Sequence, residues 1–276
     1  MLPLNVLSSS ISQLPLWISI LIGLAILSAV LTRVMVKIAP KLGLVDIPEA
    51  RRIHHTPIPR AGGIAVFATL LIGLLLLSLA DLPLGSIFGH EWIIHFLLSS
   101  TLIVVIGVID DRRGMSAWVK LLGQILASVI MFTHKPTSAG ILLHMEVHWV
   151  FDLAAHVGWT IILINGFNLI DGMDGLCSGL GIIALSILSV LAAVGGQVEL
   201  AILCGVMIAA LAGFMRYNFH PARIFLGDTG SMLIGFFIAT IGAAAVGRPT
   251  AAAANFQPRR QGGHPRLDVG LAVWRR

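Results

Sequence analysis

Charge is what this sequence has least of. Of 276 residues only 11% are Asp, Glu, Lys or Arg, while 57% are hydrophobic, and the mean hydropathy is +0.94. A water-soluble domain cannot hide that much Leu, Ile, Val and Ala in one core, so soluble classes are excluded and a bilayer is the expected solvent. Cysteine is equally scarce. Cys177 and Cys204 both lie in apolar runs, which argues against a disulfide and leaves two packed thiols. Cys and His nowhere show the spacing of a zinc site. No basic residue precedes the first apolar run, and that run is too long for a signal-peptide core, so it reads as a retained helix.

What the sequence does have is a series of apolar stretches near the roughly 20 residues that cross about 30 Å of hydrocarbon. They fall at 16–39, 62–80, 92–109, 118–132, 153–165, 176–194, 200–215 and 231–246. The expected fold is therefore all-α, a polytopic membrane bundle of about eight helices. Placement of Lys and Arg gives the orientation. Arg33, Lys37, Lys41, Arg51, Arg52 and Arg60 follow the first run; Arg112 and Arg113 follow the third; Arg216 and Arg223 follow the seventh. The connections between these are poor in positive charge and carry Asp81, Glu91, Lys135, Glu146, Asp152 and Glu199. The basic connections are expected in the cytoplasm and the N-terminus outside, which brings Asp110, Asp111, Asp171, Asp174 and Asp228 to one cytoplasmic surface.

Acidic side chains at the ends of spanning helices mark ion paths, proton relays or catalysis. Singly, each could be a solvated loop residue or a helix cap; together they suggest a site. In VIGVIDDRRGMSAWVKLLGQ, Asp110 and Asp111 are adjacent and so point apart, which suits two different tasks, one holding a cation and the other handling a proton. Lys120, one turn into the next helix, is either an interfacial anchor or a contact for an anionic substrate. In NGFNLIDGMDGLCSGL, Asn165, Asn168, Asp171 and Asp174 recur by threes and spiral around a helix. Gly166, Gly172 and Gly175 predict a fraying helix end there. In HPARIFLGDTGSMLIGF, Asp228 stands between Gly227 and Gly230 at a helix start, with Thr229 and Ser231 as candidate caps and free N–H groups suited to an anion. A carboxylate at that place suits a hard cation, Mg²⁺, bound through one or two carboxylates plus phosphates. The loop LVDIPEARRIHHTPIPRAGGIAV is rich in arginine and fits phosphate binding or a positive-inside anchor; His54 and His55 read as polar loop residues.

These four segments, in this order and spacing over roughly residues 30 to 246, resemble the polyprenyl-phosphate N-acetylhexosamine-1-phosphate transferase family, which also contains the translocase of early peptidoglycan synthesis. The form of the first loop looks more like the branch that starts O-antigen, enterobacterial common antigen or teichoic-acid linkage units. The resemblance implies attack of undecaprenyl phosphate on the β-phosphorus of a UDP-N-acetylhexosamine with release of UMP, requiring Mg²⁺ or, as an alternative, Mn²⁺. It implies Asp228 as a metal ligand with Asn168, and Asp110 and Asp111 beside the attacking phosphate, with Asp111 as the base. A base has little to do here, because a phosphate monoester is already largely ionised at neutral pH, its second pKa being about 6. It further implies Asn165, Asp171 and Asp174 lining the nucleotide pocket, with Lys120 and Arg60 near phosphate. The expected setting is the bacterial cytoplasmic (inner) membrane, with a homodimer conceivable and no nucleic-acid partner.

Residues 1–247 read as the transferase domain. Members of the family continue through further helices and a later His-x-His-His loop, whereas 248–276 is an Ala-, Gly-, Pro- and Arg-rich segment with no spanning run. It is expected to be a disordered, non-family tail on a chain truncated relative to the family. That expectation keeps open an inactive member that inserts and binds lipid only. An ion-coupled transporter is the rival from another class; it calls for acids near the middle of the helices and an internal repeat, and the sequence has neither. A pepsin-type reading of Asp228-Thr229-Gly230-Ser231 fails because that chemistry needs two such aspartates on β-rich lobes.

Overall fold

The computed structural model describes residues 4–46, 57–79, 84–133 and 148–246. Arg51, Arg52, His54, His55, Asp81, Lys135, Glu146 and the 248–276 segment lie outside them. The described residues form eight α-helices: α1 (Leu4–Ile38), α2 (Gly62–Leu79), α3 (Leu84–Arg113), α4 (Ala117–Phe132), α5 (Trp149–Ile170), α6 (Leu176–Val194), α7 (Val198–Asn218) and α8 (Gly227–Val246). Each of the eight apolar runs became one of them. Seven are long and apolar enough to cross a membrane; α4, with 16 residues, is shorter. Its length of about 24 Å falls short of a full hydrocarbon core.

Several boundaries differ from expectation, for physical reasons. Helix α5 runs 22 residues rather than 13. Its polar positions do not end it, because His156, Thr160, Asn165 and Asn168 turn toward neighbouring helices instead of lipid. Gly166 does not fray it either; the helix continues to Ile170 and stops at Asp171. Glu91, Asp152 and Glu199, expected in loops, lie inside helices, the last two in first turns where carboxylates suit the helix dipole.

Helix α8 is the hub. It packs against α2, α3, α5, α6 and α7, and 78% of its apolar span is buried against 17% for α1. Small residues make that possible. A Cβ at Gly63 would overlap the Gly230 backbone, one at Gly107 the Thr229 backbone, and one at Gly235 the Leu163 carbonyl, so helices approach more closely than side chains allow. The outer faces are the reverse. Ile22, Ile26 and Val30 on α1, Leu122 and Leu126 on α4, and Ile183, Ile187 and Val190 on α6 are exposed, an arrangement suited to hydrocarbon rather than water.

At one end of the bundle a 3-10 turn (Ala39–Leu42) leads into a short antiparallel pair, β1 (Val45–Asp46) with β2 (Ile58–Pro59). The segment before α8 joins this pair. Phe225 N–H donates to Pro59 O at 2.8 Å, Gly62 N–H to Phe225 O at 3.0 Å and Gly63 N–H to Leu226 O at 2.9 Å. The residues that launch α8 are thus tied to those that launch α2.

Candidate active site

All the acidic residues singled out by the sequence reach this same end, but they sort into pairs that sequence adjacency does not suggest. The first group surrounds Lys120. Its ammonium, one turn into α4, is ion-paired with both Asp110 from the end of α3 and Asp228 from the start of α8. Asn168 of α5 completes this cluster, its amide donating to Asp228 Oδ1 at 3.0 Å and to Ser231 Oγ at 3.0 Å. Three helices and the start of a fourth therefore converge on one carboxylate.

The second group holds the N-terminus of α8. Asp111 is buried and accepts from Asp228 N–H at 2.9 Å, Thr229 N–H at 3.0 Å and Thr229 Oγ1 at 2.7 Å. Asp171 accepts from Gly227 N–H. Helix N-termini leave their first amides without intrahelical partners, and here two carboxylates from other helices take them. The N–H groups expected to be free for an anion are therefore occupied. Thr229 and Ser231 do not cap the helix themselves: Thr229 donates to Asp111, and Ser231 Oγ donates to Gly227 O at 3.1 Å. Gly227 is required here on two counts, a φ of +75° and an absent Cβ that would lie 2.6 Å from Asp111 Oδ2.

Asp110 and Asp111 point apart, as adjacency requires, with Asp110 on the ammonium and Asp111 on the cap. Both oxygens of Asp111 are engaged. The carboxylate of the pair that faces the cluster is Asp110.

Asp171 closes α5 and is partly exposed. Its carboxyl is pushed up to about 8, first by burial and then by the nearby charges of Asp111 and Asp228, against the pull of the Arg60 guanidinium and the Gly227 N–H. Arg60 thus lies within electrostatic reach of the site; it is paired with Asp46 at 3.7 Å, and its Nε is buried without a hydrogen-bond partner. Asp174 stands apart from the cluster. It accepts from His220 Nδ1 at 2.9 Å and Ala222 N–H at 3.1 Å, fastening the α5–α6 turn to the α7–α8 loop. Asn165 is also elsewhere, one turn deeper, paired with Gln124.

Two structural residues at this end escaped the sequence reading. Gln124 is wholly buried on α4; its signal was an amide within an apolar helix, four positions after Lys120. Buried Asn218 accepts from Gly175 N–H at 3.1 Å and Ser178 Oγ at 3.3 Å and donates to Ile224 O at 3.0 Å. It tethers α6 to the loop before α8, and only its place at a helix end just before His220-Pro221 hinted at it.

Comparison with known proteins finds relatives of one kind. The chain is 34% identical over 223 residues to a probable undecaprenyl-phosphate N-acetylglucosaminyl 1-phosphate transferase of Bacillus subtilis, covering 77% of this chain and 58% of that protein. It is 35% identical over 255 residues to a decaprenyl-phosphate N-acetylglucosaminephosphotransferase of Mycobacterium tuberculosis (82% and 60%), and 31% identical over 219 residues to a phospho-N-acetylmuramoyl-pentapeptide-transferase of Listeria monocytogenes (73% and 66%). The chain spans about three fifths of the length of the first two. The model of the family described as glycosyl transferase family 4 matches residues 93–246. That stretch runs from α3 through the end of α8, more than half of the chain and every residue of the Lys120 cluster, and it makes this protein a member of glycosyl transferase family 4.

Proposed function

We propose that the chain transfers N-acetylglucosamine 1-phosphate from UDP-N-acetylglucosamine to a polyprenyl phosphate, undecaprenyl phosphate in the simplest case. The product would be a lipid diphosphate sugar of the kind that begins an envelope glycan such as O-antigen, common antigen or a teichoic-acid linkage unit. The observation that carries this reading is the convergence of Asp110, Lys120, Asn168 and Asp228 at one end of a membrane bundle, where a lipid phosphate and a soluble nucleotide can meet. The names of the relatives support the acceptor and the sugar.

The donor set fits Mg²⁺. Asp110 and Asp228 already converge on one cation, the Lys120 ammonium, and the Asn168 amide, whose nitrogen here donates to Asp228 and Ser231, would add a neutral oxygen on turning over. Two carboxylates and an amide are a donor set suited to an ion that takes one or two carboxylates and completes its shell with phosphates and water. Bound there, Mg²⁺ or Mn²⁺ would neutralise the diphosphate charge. Asp228 and Asn168 are assigned to hold it, with Asp110 beside them. Lys120 offers its charge to phosphate oxygens, and Arg60 and Asp171 edge the same end. In the reaction an oxygen of the lipid phosphate bonds to the β-phosphorus, the bond from that phosphorus to the bridging oxygen breaks, and UMP leaves with that oxygen. The chain's part is positioning and charge compensation. Since Asp111 is spent on the α8 cap, any proton handling at the attacking phosphate falls to Asp110.

The transporter reading would place its acids near the middle of the bundle; here they gather at one end. Cationic Lys37, Lys41, Arg112, Arg113, Arg216 and Arg223 are exposed at that end, which supports a cytoplasmic-face site in a bacterial inner membrane.

The test is to give membranes containing the chain radiolabelled UDP-N-acetylglucosamine and undecaprenyl phosphate, with and without Mg²⁺, and follow label into the lipid phase. Mg²⁺-dependent lipid label is expected, and Asp228→Asn should reduce it about 100-fold or more while leaving insertion intact. No lipid product from well-inserted protein would leave the lipid-binding, inactive alternative standing.

A further inference from the structure

Helices α4 and α5 pass each other antiparallel in a register that can be followed in steps. At the site, Lys120 of α4 and Asn168 of α5 meet at the Asp228 carboxylate. One turn deeper, Asn165 Nδ2 donates to Gln124 Oε1 at 2.8 Å, and Gln124 Nε2 returns to Asn165 Oδ1 at 3.5 Å. Toward the far end, the Phe132 ring lies 5.6 Å from the His156 ring, and His156 is hydrogen-bonded to the Ser128 backbone. As the residue number rises along α4, that of its partner falls along α5 by a matching amount.

Of these steps the amide pair is the one in which a side chain of each helix bonds directly and reciprocally to the other. Aliphatic contacts across a helix seam tolerate sliding, because one branched side chain replaces another at little cost in dispersion energy. A two-way amide pair tolerates it less: displacement by a turn breaks both of its bonds, and a buried amide without its partner is costly. Gln124 is wholly buried, and its remaining contact is a weak one to Met232 Sδ at 3.5 Å. Asn165 also donates to Ile161 O at 2.9 Å, which orients its amide along its own helix. Gln124 lies four residues after Lys120 and Asn165 three before Asn168, one helical turn in each case. Whatever holds Gln124 to Asn165 therefore holds Lys120 to Asn168.

We infer that the Gln124–Asn165 amide pair is the register lock between α4 and α5, a pair of positioning residues that sets the Lys120 ammonium against Asn168 and Asp228. Asn165 then acts through the bundle and not by touching nucleotide. The activity arm of the test rests on the transferase reading above; a second arm does not.

The experiment compares four forms of the full chain in membranes: the parent, Gln124→Leu, the double exchange Gln124→Asn with Asn165→Gln, and Gln124→Leu with Asn165→Leu. The last keeps the seam apolar with no amide left unpaired, so it inserts and folds even where the single change does not. In the activity arm, the double-Leu form is expected to lose about 100-fold in kcat with the KM for UDP-N-acetylglucosamine little changed, while the exchanged pair recovers most of that loss. In the structural arm, Phe132→Cys and His156→Cys are placed in each form in a Cys177→Ala, Cys204→Ala background and joined by a short thiol-specific bifunctional reagent. The parent and the exchanged pair should cross-link at similar rates and the double-Leu form several-fold more slowly. Equal cross-linking in all forms overturns the lock. A raised KM that the exchange does not rescue also overturns it and returns Asn165 to direct substrate contact. Absence of transfer in the parent sinks the transferase reading alone, since the cross-linking arm still decides the lock.

Discussion

Asp171 shows how far a residue's role lies from its place in a motif. It sits three residues from Asp174, yet its partners are the Gly227 N–H and the charges of Asp111, Asp228 and Arg60, while Asp174 belongs to His220 and Ala222. A spacing of three around a helix end sends successive side chains to different neighbours, so the motif was legible as a cluster and its pairings were not. The same holds for Asp111, whose partner Thr229 is 118 residues away. The environment of Asp171 has a consequence in pH. An ordinary aspartate carboxyl stands at 3.8 and this one at about 8 in the folded chain, so between those values the folded chain keeps a proton that the unfolded chain has released. Stability from this group is greatest at low pH, is lost as pH rises from about 4 to about 8, and changes no further above that. Ligand-free protein in chelator should therefore melt lower at pH 8 than at pH 5, and Asp171→Asn, which keeps an acceptor for Gly227 N–H, should flatten that slope. Parallel melting profiles for parent and variant across this range would refute the assignment.

At the scale of elements, the expected helices were legible because hydrocarbon leaves few options for an apolar run of this length. Less legible was which helix stands in the middle. Mean hydropathy is no guide to it: α8, the least apolar of the spans, is 78% buried, whereas α5, the next least apolar, is 17% buried. Lipid demands apolar surface and a helix surrounded by protein does not, so α8 can be at once the least apolar span and the most enclosed. Its glycine contacts give a graded test. Gly107→Val would drive a side chain into the Thr229 backbone and, through it, into the α8 cap, whereas Gly23 has open space beyond its Cα. Gly107→Val is expected to cost about 1–3 kcal/mol or more, read as a lowered melting temperature in detergent. Gly23→Ala should be neutral or slightly stabilising, since alanine is the better helix former. Equal effects at the two positions would mean that α3 and α8 are not in backbone contact.

For the whole molecule, the alternation of basic and neutral connections predicted that the site residues share a side, and the structure places them at one end of the bundle. Which side of the membrane that is follows from charge placement and is open to direct measurement. Single cysteines introduced as Arg112→Cys and Gly172→Cys, both at exposed positions, should be shielded from an impermeant thiol reagent in intact cells and labelled once the membrane is opened. Labelling from outside would turn the site around and remove the nucleotide from reach. Sequence could show that four segments belong together but not that α8 borrows its first hydrogen-bond partners from α3 and α5. That borrowing bears on biogenesis. A span with Asp228 in its first turn and amides that only other helices can satisfy is poorly suited to leave the translocation machinery alone into lipid. Helix α8 follows the other seven described helices in synthesis, so its docking surface, including the carboxylates that receive its N-terminus, is already in the membrane when it arrives.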